Sequence, residues 1–93
     1  MRATLGNHII AESTETVDVD GYHYFPTSAV RTEWLEKVPR TEKDKACPHG
    51  VQFYDVVIGG VRHPRAAWQY EWPKPQMAAT ARRFGFWEDV AVG

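Results

Sequence analysis

The chain has 93 residues, 43% of them hydrophobic and 25% charged, with a formal net charge of −1. A chain of this length supports one core, so residues 1–93 form a single domain, and the composition excludes wholesale disorder. The near-neutral charge excludes a general nucleic-acid binder, and the lack of any apolar run of about eighteen residues excludes a membrane partner crossed by a helix.

The first element in chain order is a short hairpin. Arg2 to Leu5 and His8 to Ala11 flank Gly6-Asn7, two residues that tolerate the positive φ of a tight turn. Glu12 to Thr16 is a polar break. Thr16-Val17-Asp18-Val19-Asp20 alternates with period two, which places its valines toward the core, and after Gly21 a further strand begins at Tyr22-His23-Tyr24-Phe25. Pro26 stops that ladder, and Thr27 or Ser28 is placed to cap one short helix near residues 27–37, with Val30 and Trp34 on one face. Arg40-Thr41-Glu42-Lys43-Asp44-Lys45 lacks apolar periodicity and reads as a solvated loop.

That loop delivers the chain to Cys47-Pro48-His49-Gly50, a turn that opens into the best strand of the sequence. Val51 to Ile58 is β-branched or aromatic apart from Gln52 and Asp55, the pattern of a strand covered on much of both faces. Gly59-Gly60 signals a hairpin, Val61-Arg62-His63 begins the return, and Pro64 marks a bulge or an edge. Trp68, Tyr70 and Trp72 then stand at i, i+2 and i+4, on one face of an extended strand. Residues 76–83 form helical turns or an irregular crossing. Phe84 to Trp87 and Val90 to Val92 read as closing strands around a Glu88-Asp89 turn. Many short strands with a single helix make a mainly β, antiparallel domain.

The single cysteine excludes an internal disulfide and a zinc site built from paired Cys-x-x-Cys knuckles. There is no apolar leader at the N-terminus, so a cytoplasmic protein is expected. His8, His23, His49 and His63 have neither helical i, i+4 spacing nor an adjacent carboxylate cluster, so no metal and no cofactor is expected.

Tyr24-Phe25-Pro26, Cys47-Pro48-His49-Gly50, Phe53-Tyr54-Asp55-Val56 and Ala66-Ala67-Trp68-Gln69-Tyr70 occur here in that order. With Ile9-Ile10-Ala11-Glu12-Ser13 they make the chain resemble the bacterial family catalogued as domain of unknown function 427 over nearly its whole length. Family turns often read Cys-Pro-x-Lys-Gly, whereas His49 meets Gly50 directly here, and Lys45 stands where a threonine is common. The resemblance implies a small antiparallel β-tent-like domain, two short sheets leaning together along one edge. Zinc-bearing relatives share that architecture, but their cysteine pairs are missing here. The family also carries a nucleotidyltransferase-like label, for which this chain shows neither a Gly-Ser motif with paired aspartates nor a phosphate loop.

Two stretches carry candidate chemistry. Cys47 and His49 would be catalytic if the imidazole lowered the thiol pKa, and a structural cysteine at the head of a strand is the alternative. Trp68 and Tyr70 with Tyr54 would line a pocket for an aromatic or nucleotide-like small molecule, to which Arg62 and His63 would supply charge. A ring set that simply forms the core, and basic residues that simply solvate a turn, are the alternatives. Related β-tent domains hold small ligands against tryptophans, which the resemblance carries over as an expectation. The leading expectation is therefore a small-molecule binding module, acting as a monomer or homodimer, with its pocket touched by the Cys47–His49 turn. A Cys47-dependent enzyme and a protein-interaction domain anchored by Trp34, Trp72 or Trp87 stand beside it.

Overall fold

The computed structural model describes all 93 residues as nine strands in two antiparallel sheets. The smaller sheet has the order β2-β1-β9, formed by β1 (Arg2–Leu5), β2 (His8–Glu12) and β9 (Ala91–Val92). In the larger sheet the order is β3-β4-β8-β7-β6-β5. Its members are β3 (Val17–Val19), β4 (Tyr22–Pro26), β5 (Leu35–Lys37), β6 (Val51–Ile58), β7 (Val61–Tyr70) and β8 (Arg83–Phe86).

In place of one helix near residues 27–37 the chain makes two 3-10 turns, Thr27–Ala29 and Thr32–Trp34, and then the edge strand β5. Neither turn has a side-chain cap; the Thr27 hydroxyl donates instead to the Arg82 carbonyl at 2.7 Å. Val30 does not continue a helix, because it bridges Ala11 in the smaller sheet. The stretch read as a solvated loop contains α1 (Glu42–Lys45), held by a reciprocal capping box between Thr41 and Asp44. Residues 75–80 form a 3-10 helix. The strands either side of Glu88-Asp89 do not pair with each other: β8 lies between β4 and β7, and β9 closes the smaller sheet against β1.

The β6-β7 hairpin is the centre of the larger sheet. Gly59 and Gly60 turn it with φ of +58° and +80°, values that favour glycine at both positions. Its pairing jumps by two residues between Tyr54 and Val56, and in that bulge Arg65 takes a φ of +53°. One face of the larger sheet presents Phe25, Val56, Ile58, Ala66, Ala67, Phe84 and Phe86, which pack with Ala3, Ile10 and Ala11 of the smaller sheet into the main core. On the other face Tyr24, Val51 and Trp68 form a second cluster, joined by Phe53, Tyr70, Trp87 and Cys47. Gln52 and Asp55, the polar residues of β6, are buried and paired: the Gln52 amide donates to the Val38 carbonyl at 2.6 Å, and Asp55 accepts from Arg62 and from the Arg65 backbone. No helix is long and apolar enough to cross a membrane.

Candidate functional site: an aromatic hollow around Trp68

Trp68 sits at the middle of the aromatic face because β7 has a partner on each side. It pairs with Phe53 across one ladder and with Gly85 across the other. A Cβ at residue 85 would lie 2.5 Å from the indole, so glycine is what lets the ring rest against β8. The remaining rings gather edge-on. Tyr22 meets Trp68 with centroids 5.0 Å apart, Trp87 meets it at 5.3 Å, and Phe53 and Trp87 stack on each other at 5.9 Å with 21° between planes. Together with Val51 and Tyr70 these rings wall a hollow of about 110 Å³, lined by hydrophobic side chains alone.

Arg65 braces the Phe53–Trp87 wall from behind. Its guanidinium lies 4.0 Å from the Phe53 ring centroid and donates to both Asp44 carboxylate oxygens, at 3.0 and 2.8 Å. The Arg65 carbonyl accepts the Trp87 indole N–H at 2.6 Å, and its backbone N–H donates to Asp55 at 2.8 Å. Asp44 is only 5% exposed, and hydrogen bonds from Arg65 hold its carboxyl down at about 2. The same pair raises Arg65, so both partners stay charged through the neutral range.

At the other end of the hollow stand two phenols. Burial pushes Tyr24 and Tyr70 above the usual tyrosine range, Tyr24 also through its neighbour Tyr70, and both remain neutral phenols at physiological pH. The Cys47–His49 turn flanks Tyr70. Cys47 is half-buried and packs with the aromatic cluster, and the His49 ring meets Tyr70 edge-on at 5.6 Å. No hydrogen bond joins His49 to the thiol, and its Nδ1 accepts the Lys74 backbone N–H at 2.9 Å.

Of the residues expected at a pocket, Trp68 and Tyr70 line the hollow. Tyr54 does not join them. It lies on the opposite face, edge-on to Phe84 at 5.3 Å and part of the main core, because neighbouring residues of a strand point to opposite sides. Arg62 is at the turn end of β7, about 13 Å from Trp68 by the rise of the four β6 residues that separate their partners, and there it binds Asp55 at 2.7 Å and Glu36 at 3.0 Å. His63 pairs with Asp89 at 2.9 Å. Neither supplies charge to the hollow. Trp72 lies past the end of β7, 57% exposed, with its ring over Gly50 and the Arg40 guanidinium 5.0 Å from its centroid. No three His, Cys, Asp or Glu side chains gather as a metal site would need.

Tyr22, Val51 and Phe53, which were not singled out from the sequence, complete the walls with Trp87, which the sequence offered as an anchor for a protein partner and not as part of a pocket. The alternation that marks Trp68 and Tyr70 also marks Val51 and Phe53 across the hairpin, whereas Tyr22 and Trp87 arrive through pairings that no local pattern records. No curated protein matches the chain. The family model described as a domain of unknown function (DUF427) matches residues 1–92, and the chain belongs to that family.

Proposed function

We propose that the protein is a small-molecule binding module of the bacterial cytoplasm, acting as a monomer or homodimer, and that its ligand inserts one flat ring into the hollow around Trp68. The observation that carries this reading is the hollow itself: about 110 Å³, walled by Tyr22, Val51, Phe53, Trp68, Tyr70 and Trp87. That is the scale of an apolar cavity that takes a benzene-sized molecule. Edge-on rings around an open space offer a flat ligand the offset and T-shaped contacts that aromatic pairs favour. Of the two ligand classes expected, the aromatic one fits better. A nucleotide exceeds this volume, and its phosphate would meet no cation on the walls, since Arg62 and His63 are paired elsewhere.

A strained backbone and a buried ion pair directly behind the wall support the same reading. Arg65 with positive φ and the Asp44 carboxylate are costly features, and such features cluster where a fixed geometry is used. The Cys47-dependent enzyme is less well supported, because His49 directs its Nδ1 to the Lys74 backbone. Screening single-ring compounds by thermal shift, followed by Trp68→Ala and Trp87→Leu, tests the proposal. Compounds that raise the melting temperature of the parent should lose that effect in both variants. Equal stabilisation of parent and variants would place the ligand elsewhere.

A further inference from the structure

One wall of the hollow carries an unmet hydrogen-bond donor. The Trp68 indole Nε1 is buried in a side chain only 4% exposed, and it has no hydrogen-bond partner in the protein. Buried donors are nearly always paired, and leaving one unmade costs on the order of 1–3 kcal/mol. No other wall carries a buried donor left without a bond: Val51 and Phe53 present carbon, the Trp87 N–H is taken by the Arg65 carbonyl, and Tyr22 is itself exposed. Next to the Trp68 N–H stand the hydroxyls of Tyr24 and Tyr70, close enough to sense it although neither completes a bond with it. The corner therefore gathers three neutral polar groups, of which the indole N–H alone can donate without accepting.

The charges around it argue against an ionic ligand of either sign. No cation lines the hollow to receive an anion. The Arg65 guanidinium, 4.0 Å behind the Phe53 ring, opposes a cation on the other side of that ring.

Resting on the reading of the hollow as a small-molecule site, we propose that its ligand is an uncharged ring with a hydrogen-bond acceptor on one edge, a ring nitrogen or a carbonyl oxygen, and that this acceptor takes the Trp68 indole N–H. The N–H is shielded from water by the rings about it, so seating the acceptor includes a turn of the half-buried Tyr70 side chain. A ring without an acceptor fills the same apolar space and leaves the donor as it was. Selectivity then comes from one bond, in the way that a site with a buried polar group discriminates against an analogue lacking its partner.

The test compares benzene, pyridine and tetramethylammonium on the full ¹⁵N-labelled chain at pH 7.5, where pyridine is neutral and nearly the size of benzene. Pyridine should bind about tenfold more tightly than benzene, the scale of one buried hydrogen bond. It alone should move the Trp68 indole N–H proton downfield. Trp68→Phe should erase the pyridine advantage, so that the variant binds pyridine no more tightly than benzene. If the variant does not fold, the N–H shifts of the unaltered protein decide. Equal affinity for benzene and pyridine, or an unmoved Trp68 N–H with pyridine bound, would overturn the acceptor while leaving the hollow a ring site. Tighter binding of tetramethylammonium would overturn it in favour of a cation cage. Failure of all three probes to bind would overturn the reading of the hollow along with it.

Discussion

The two faces of the larger sheet are built by the same strands, and adjacent residues divide between them. Tyr24 and Phe25 are both essentially inaccessible, yet Phe25 belongs to the main core and Tyr24 to the aromatic cluster. Phe53 and Tyr54 divide in the same way, as do Trp68 and Ala67. On the core face the smaller sheet closes over Phe25, Phe84 and Phe86 with alanines and branched aliphatics filling between them, side chains that interdigitate to the density of an organic crystal. No second sheet covers the aromatic face. Its large planar rings meet at steep angles, and rings held edge-on leave space between them. The difference shows how a small domain keeps a binding hollow without loosening its core: both faces carry rings, and only the core face is sealed by a second sheet.

Truncation on either side should measure that division. Phe25→Ala removes a fully buried ring from the core face and should cost about 3–5 kcal/mol, read as a lower midpoint in urea unfolding. Tyr22→Ala removes a hollow wall that is 39% exposed and should cost less than about 1 kcal/mol while abolishing ring binding. Equal costs would mean that the two faces are packed alike.

Adding volume should act in the opposite direction and more selectively. In Gly85→Ala the new methyl would meet the Trp68 indole at 2.5 Å and push it away from β8, toward the hollow. A cost of about 1–3 kcal/mol is expected, with ring binding lost and Trp68 fluorescence shifted. Retention of binding would show that the indole can slide along β8 without closing the space.

Features set by local chemistry were legible in the sequence. The Gly6-Asn7 and Gly59-Gly60 hairpins, the Val51–Ile58 strand and the bulge near Pro64 all lie where turn residues and alternation place them. What depended on distant partners was not. The 27–37 stretch has helical spacing at Val30 and Trp34, but Val30 is claimed by Ala11 and Leu35 by Val56, so the chain is drawn out into turns and a strand. Asp44 sits in a charged run that reads as solvated, and only the arrival of Arg65 from the bulge buries it. Here a local signal was present, since Thr41-x-x-Asp44 is a capping-box pattern. Tyr54 could have been assigned by counting. Pairing two by two back from Gly59-Gly60 sets Trp68 opposite Val51, so Val51 and Phe53 share the Trp68 face and Tyr54 takes the other. The bulge then shifts the pairing by two residues, which brings Trp68 opposite Phe53 and preserves that parity.

The Asp44–Arg65 pair offers a third and smaller perturbation, one that should weaken the aromatic face and leave the core face intact. Asp44 has a folded pKa of about 2, below the value near 4 expected unfolded, so the fold favours the carboxylate. The stability this contributes is fully present above about pH 4 and is lost as pH falls toward 2. Arg65 is partly exposed, and solvent screening limits the contribution to about 1–2 kcal/mol. Asp44→Asn should therefore destabilise the protein by that amount at pH 6, and the difference from the parent should shrink toward zero as both are unfolded at pH 4, 3 and 2.5. A difference that does not change with pH would mean that the loss comes from the α1 cap alone. Because Arg65 also braces Phe53 and receives the Trp87 N–H, the variant should free the wall formed by those two rings. Ring binding should then weaken in Asp44→Asn more than its stability loss accounts for, whereas the amide protons of β1 and β2, in the sheet that covers the core face, should keep their exchange rates relative to the global unfolding limit.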